Sequence, residues 1–332
     1  MMPPTLLVTL KIVTMSVVIL VGWLCRRRGM ISAQTTSSLA RFTTDVTLPT
    51  LIFFQMIDTV DLQSLKTGWL VPVLGCAVIT LGHVVGWACW RLFARREQAP
   101  VFILVCGVSN WIYLCLPIAD GLYGTEGLKN LFLANVGIQV LFWTLGVAIL
   151  HGGRLDRNAI RRLATNPGLI ATFLGIALAL FHQVIAAPLE YAAAHQPWSS
   201  IQTVLSDSLR MVGSLTIPLS LVVTGAQIAG AAMLHTQQRK PVAGVVLIRL
   251  IIVPLLVVAA LALLADNTNI APTPLMILAI IGIMPVAVST AVLADRFHQD
   301  TALAAQSILW TTILSILTVP LLFELARRLI ER

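Results

Sequence analysis

Apolar runs long enough to cross a lipid bilayer follow one another along almost the whole of this chain. A bilayer core of about 30 Å takes roughly 20 helical residues to cross. Within it every backbone N–H and C=O must be satisfied inside the segment, so such runs fold as helices. Apolar residues make up 58% of the chain, charged residues 11%, and mean hydropathy is +0.90, a membrane composition rather than a soluble one. The 332 residues hold ten runs, near 5–25, 38–57, 67–90, 100–120, 128–150, 167–187, 203–230, 241–265, 273–294 and 301–326. The first does not read as a cleaved signal peptide, because Arg26-Arg27-Arg28 follow its apolar stretch instead of preceding it.

Net charge is +8, and its placement along the chain explains it. Alternate loops carry Arg26–Arg28, Arg91, Arg95, Arg96, Arg154, Arg157, Arg161, Arg162, Arg239, Lys240 and Arg296, 13 basic residues on one side. The other side has 5, namely Lys66, Lys129, Arg327, Arg328 and Arg332. The richer side is cytoplasmic by the positive-inside rule, which puts both termini outside a multi-pass protein of the cytoplasmic membrane. The basic charge thus reports topology and carries no nucleic-acid role. The five cysteines form no C-x-x-C pair and imply neither a disulfide framework nor a metal site. No cofactor motif is found.

Prolines interrupt the apolar runs in a repeated pattern. Pro49 and Pro117 lie 68 residues apart, and Pro218 and Pro285 lie 67 apart. Proline removes a backbone hydrogen bond and clashes with the preceding turn, a defect tolerated in lipid only where protein or a cavity covers it. Leu48-Pro49-Thr50-Leu51-Ile52 in span 2 is echoed by Ile217-Pro218-Leu219-Ser220-Leu221 in span 7, and Gln139 and Trp143 in span 5 by Gln306 and Trp310 in span 10. Interrupted segments at matching places in two halves point to a secondary transporter's binding site. The expected fold is an all-α polytopic membrane protein of ten transmembrane helices. Residues 1–151 and 167–332 form two inverted five-helix repeats around a linker at 152–166.

With these residues in view the chain resembles the auxin efflux carrier family, which includes the plant PIN proteins and bacterial malate and malonate permeases. The resemblance rests on Asn110 seven residues before Pro117, on Leu122-Tyr123-Gly124-Thr125-Glu126-Gly127, and on Met284-Pro285-Val286-Ala287-Val288-Ser289 with Leu293-Ala294, Asp300 and Ala304-Ala305. The family's small glycines between the Asn and the Pro are replaced by Ile112 and Cys115, with Trp111 and Tyr113 beside them, so pocket size is not carried over. The resemblance implies that broken helices 4 and 9 cross at mid-membrane. Spans 3–5 and 8–10 would move as an elevator against a scaffold of spans 1, 2, 6 and 7, through which the protein would form a homodimer in membrane lipid.

Two half-helix N-termini at a crossover suit a small organic anion, above all a carboxylate. The expected substrate-binding residues are Asn110, Pro117, Pro285, Ser289 and Thr290 at the breaks and Asn135 and Gln139 on span 5. Pro49, Thr50, Pro218, Ser220 and Thr224 are expected from the scaffold, with Phe53 and Phe54 as an apolar wall. Intramembrane charges are functional suspects. Asp45 and His83 are candidates for proton coupling. Arg249 is a candidate counter-ion, although snorkelling to the interface is the expectation favoured for it. Asp207 and Arg210, three apart, read as a local ion pair. No fixed cation is expected at mid-membrane. The alternatives are a sodium-coupled organic-anion symporter of the bile-acid type, which would be expected to place carboxylates or several amides at the crossover, and a non-transporting sensor on the same fold. H-E-x-x-H and G-x-S-x-G are absent from the sequence, which argues against an enzyme.

Overall fold

The computed structural model describes residues 4–61, 68–151, 161, 164–181, 198–232 and 238–332, and every regular element among them is helical. The first half contains α1 (Pro4–Arg27), α2 (Ala33–Phe42), α3 (Leu48–Thr59), α4 (Leu70–Phe93), α5 (Ala99–Gly107) and α6 (Cys115–Leu141). The second contains α7 (Pro167–Phe181), α8 (Trp198–Ser214), α9 (Thr216–Ala232), α10 (Arg239–Leu247), α11 (Val253–Asn267), α12 (Pro272–Ile283), α13 (Ser289–Arg296) and α14 (Thr301–Ile330). Six stretches are long and apolar enough to cross a membrane: Thr9–Arg27, Leu70–Phe93, Cys115–Leu150, Thr203–Gly230, Arg239–Asn267 and Thr301–Ile330. The linker expected at 152–166 lies mostly outside the described residues, as does Lys66.

Fewer long helices than expected runs has a physical cause. α5 has 9 residues and α12 has 12, which at 1.5 Å per residue reach only about 14 and about 18 Å, half a bilayer each. α6 bends at Gly124, whose φ of 54° is left-handed backbone that favours glycine, so the end of span 4 and all of span 5 run on as one element. A π turn at Phe142–Gly146 then carries that element to Leu150.

The breaks expected near Pro117 and Pro285 are present, and the prolines mark helix starts more often than break centres. Pro49 follows a π turn at Thr43–Thr47 and lies in the first turn of α3. Pro218 lies in the first turn of α9, just past the interruption at Leu215. Pro117 is the third residue of α6, and only Pro285 lies inside a non-helical gap. The first turn of a helix has no partner for its N–H groups, so a residue without one fits there. Upstream, the ring is accommodated by widening the preceding turn. Pro254, at the start of α11, likewise follows a π turn at Ile248–Ile252.

The helices pack in two groups. In one, α1 lies along α9 and α3 along α7 and α8. The α1–α9 approach is backbone to backbone: a Cβ on Gly225 would fall 1.9 Å from the carbonyl oxygen of Ile19, and one on Gly22 2.1 Å from that of Val222. Such close small-residue crossings are how helices associate in lipid. Between α3 and α8, Arg210 donates to Asp58 at 2.8 Å and lies 4.6 Å from the Phe54 ring. The hydrogen-bonded partner of Arg210 is thus Asp58 on another helix, the expected partner Asp207 acts on it through charge alone, and the Phe54 ring faces α8.

The second group gathers α4, α5, α6 and α10 to α14. Its core is α5 and α12, which are apolar on every side and buried on nearly every side. At one end Asp300 caps α14 by accepting the Leu303 N–H at 2.9 Å, and it accepts the amides of Gln238 at 2.9 Å and Gln98 at 3.2 Å. One carboxylate thereby ties the starts of α5, α10 and α14. Apolar side chains point outward on α1 and α14, including Val17, Leu20, Leu317 and Leu321.

Candidate functional site

α5 stops at Gly107 and α12 at Ile283, and the two chains then meet in extended conformation. Ser109 and Val286 form an isolated antiparallel bridge. The Asn110 N–H donates to the Pro285 carbonyl at 2.8 Å and the Ala287 N–H to the Val108 carbonyl at 3.1 Å. A third donor, the Val286 N–H, reaches the hydroxyl of Thr311 on α14 at 3.2 Å. Each break therefore satisfies part of its backbone on the other, as hydrocarbon surroundings demand. α6 and α13 start on the far side.

Several side chains brace this junction. Trp111 is buried and donates its indole N–H to the amide oxygen of Asn135 at 2.9 Å, with its ring 5.5 Å from that of Phe142. His83 on α4 presses against Gly107, where a Cβ would lie 2.3 Å from the imidazole Nδ1. That nitrogen is also 2.8 Å from the Ile79 carbonyl. The Thr290 hydroxyl donates to the Ala287 carbonyl at 2.7 Å, so it serves the broken end of its own chain.

Arg249 departs most from expectation. It is fully buried, not snorkelling, and its guanidinium faces the C-terminal ends of α5 and α12. Nε donates to the Met284 carbonyl at 2.9 Å and Nη2 to that of Gly282 at 2.6 Å. Longer contacts of 3.5 Å reach the carbonyls of Ile281 and Cys106. A fixed cation thus sits beside the crossover after all. It is held in the π turn that Pro254 imposes, and the partial negative charge of two helix C-termini compensates it.

Between the crossover and the first group lies a small cavity of about 30 Å³ whose wall is mostly apolar surface with several polar side chains set into it. Thr43 and Thr44 line it from the π turn before α3, Ser220, Thr224 and Gln227 from α9, Tyr113 from the first break, and Ser289 from the start of α13. It holds a water or two and nothing larger. A second cavity of about 10 Å³, also mostly apolar, flanks the junction elsewhere, with Met15, Leu114, Pro285 and Ser315 on its walls.

Of the expected site residues, Ser220, Thr224 and Ser289 meet at the larger cavity. Asn110 is buried at the bridge, and its side-chain amide makes no hydrogen bond to the described residues. Asn135 is engaged with Trp111, and Gln139 is buried beside Gly168 of α7. Pro49 is buried within the first group, while Thr50 bonds back to the Val46 carbonyl at 2.7 Å. Pro117 is half-buried in the first turn of α6, and Pro218 and Asp45 are exposed. Gln227 was missed, although Ser220, Thr224 and Gln227 fall at the four-then-three spacing of one helix face. The Oε1 of Gln227 is buried without a partner among the described residues. Thr43 and Thr44 left no periodic signal, because a π turn shifts the register of everything around it.

The sequence profile described as membrane transport protein matches residues 7–159 and 153–323, nearly the full length. The chain belongs to that family, of the auxin efflux carrier type. This transporter is 25% identical over 324 residues to an uncharacterized transporter of Methanothermobacter thermautotrophicus, with 94% of this chain and 96% of the relative covered. It is 26% identical to an uncharacterized transporter of Methanocaldococcus jannaschii over 92% of this chain and 94% of the relative. The plant protein PIN-LIKES 7 of Arabidopsis thaliana matches at 19% identity over 88% of this chain and 89% of its own length. The family and these relatives are transporters, not enzymes, and the apolar helices make the protein a multi-pass membrane protein. Among the described residues no three His, Cys, Asp or Glu side chains cluster as metal ligands would.

Proposed function

We propose that this transporter is a secondary carrier of small organic anions, carboxylates foremost, which binds them between the crossover and the first helix group. The cavity into which Ser220, Thr224, Gln227, Tyr113 and Ser289 are set is the observation that carries this reading. The hydroxyls of Tyr113 and Ser289 and the rotatable amide of Gln227 supply neutral donors, the hydroxyls of Ser220 and Thr224 donate instead to the carbonyls of Ile217 and Ser220, and the N-terminus of α13 adds its dipole. Neutral donors hold an anion firmly enough to select it and weakly enough to release it.

The proposal includes alternating access of the elevator type. A cavity of about 30 Å³ is smaller than any carboxylate substrate, so the two groups must separate to admit one. Ten spans in two inverted repeats, 1–151 and 167–332 about a linker at 152–166, fit the pairing of α1 with α9 and of α7 with α3, in which each repeat contributes its first span to the other's second. The match of the family profile in two successive segments accords with this division. With the arginine-rich loops on the cytoplasmic side of the inner membrane and both termini outside, this cavity opens on the inner half of the bilayer. The first group is the scaffold, the surface for membrane lipid, and the contact for a homodimer.

Purified protein in vesicles, offered radiolabelled mono- and dicarboxylates, tests the carrier. Uptake of at least one is expected, with Ser289→Ala and Gln227→Leu each weakening apparent affinity by about 1.5–3 kcal/mol, the worth of a hydrogen bond to a charged group. No uptake and no thermal stabilisation by any carboxylate would remove the substrate assignment.

A further inference from the structure

α5 and α12 end inside the protein, where no water can reach the carbonyls of their last turns. Each helix end also carries roughly half a negative charge. Oxygens of this kind converging on one point are what a hard cation such as sodium coordinates. Here the guanidinium of Arg249 fills the place. It reaches carbonyls of both half-helices, Cys106 from α5 and Ile281, Gly282 and Met284 from α12. Among the described residues no carboxylate pairs with it, so the carbonyls are its counter-charge. A buried cation without such compensation is strongly unfavourable.

We propose that Arg249 is a built-in cation that clamps the two broken helices together at the crossover in place of a bound metal ion, so the geometry of the junction does not depend on sodium. Arg249 is a positioning residue: its donors are spent on carbonyls, and it acts through the backbone it holds. The clamp stands on the crossover geometry alone, and sodium-independent transport rests in addition on the carrier reading above. Arginine suits the task because its planar fork carries five donors in fixed directions, whereas lysine offers one compact ammonium. The π turn before Pro254 supplies the local distortion from which Arg249 enters the core.

Hydrogen exchange of the full-length purified protein tests the clamp without any substrate, so failure of the carrier reading leaves the result intact. In Arg249→Ala, exchange should quicken roughly tenfold to a hundredfold in peptides from both ends, 104–110 and 281–287, with α1 and α9 unchanged. Methylguanidinium chloride should restore protection at both ends, while choline chloride at equal ionic strength should not. If Arg249→Ala does not fold, Arg249→Lys carries the test and should loosen both ends to a smaller degree. In the native protein, sodium chloride in place of choline chloride should leave both peptides unchanged. Quickening at one end only, uniform quickening of the whole protein, no rescue by methylguanidinium, or sodium-dependent protection of the native junction would each overturn the proposal.

Discussion

Replacing Gly107 by alanine should loosen the crossover through a clash that can be relieved at a second site. The added Cβ would lie 2.3 Å from Nδ1 and 2.4 Å from Cγ of His83, too close for any pair of heavy atoms. His83 has little freedom to retreat, being 96% buried with Nδ1 held on the Ile79 carbonyl. Overpacking of a filled core costs about 1–3 kcal/mol. Removing a helical glycine returns roughly 0.5–1 kcal/mol of backbone entropy, so the clash prevails. Thermal unfolding of purified protein should then show a fall in Tm of roughly 2–8 °C. In Gly107→Ala/His83→Ala the methyl occupies space vacated by the ring. The two changes should therefore be non-additive, the double variant more stable than the sum of the singles predicts by about 1–3 kcal/mol. Additive losses, or an unchanged Tm in the single glycine variant, would refute the packing of His83 on the end of α5.

Three other outcomes are expected. A double-mutant cycle on Trp111→Phe and Asn135→Ala should return a coupling of about 0.5–1.5 kcal/mol in thermal stability, and none if the indole bond to Asn135 does not form. Gly225→Val should prevent α1 from docking on α9, because the obstructing atom is backbone oxygen and cannot rotate aside. Size-exclusion chromatography should show aggregated protein, whereas the exposed Pro218→Ala should leave a normal profile. In a cysteine-free background, single cysteines at positions 157 and 194 should react with an impermeant thiol reagent from opposite faces of the membrane, and equal labelling from outside would remove the inverted topology.

Much of this architecture is written in composition and punctuation. Apolar runs dictate helices because lipid offers the backbone no other partner. The left-handed turn at Gly124 and the interruption at Pro285 are likewise visible as residue types, since backbone conformation there depends on what the side chain permits. The sequence also marked Asn110, Thr224 and Ser289 as polar groups in apolar surroundings. It did not indicate that Pro49, Pro117 and Pro218 begin helices instead of centring breaks, because proline's missing donor is compatible with both.

What only tertiary structure decided was pairing over distance. Arg249 in isolation reads as a long cation a short way from an interface, where snorkelling is the least costly solution. The carbonyls that hold it lie 143 residues away at Cys106 and 32 to 35 away at Ile281, Gly282 and Met284, and backbone oxygens have no signature in an amino-acid sequence. The same holds for Trp111, which reads as bulk in a pocket until Asn135 on another span is seen to accept its N–H. Residue type fixes what a group can offer, and in this protein the partner that accepts the offer is set by where two broken helices meet.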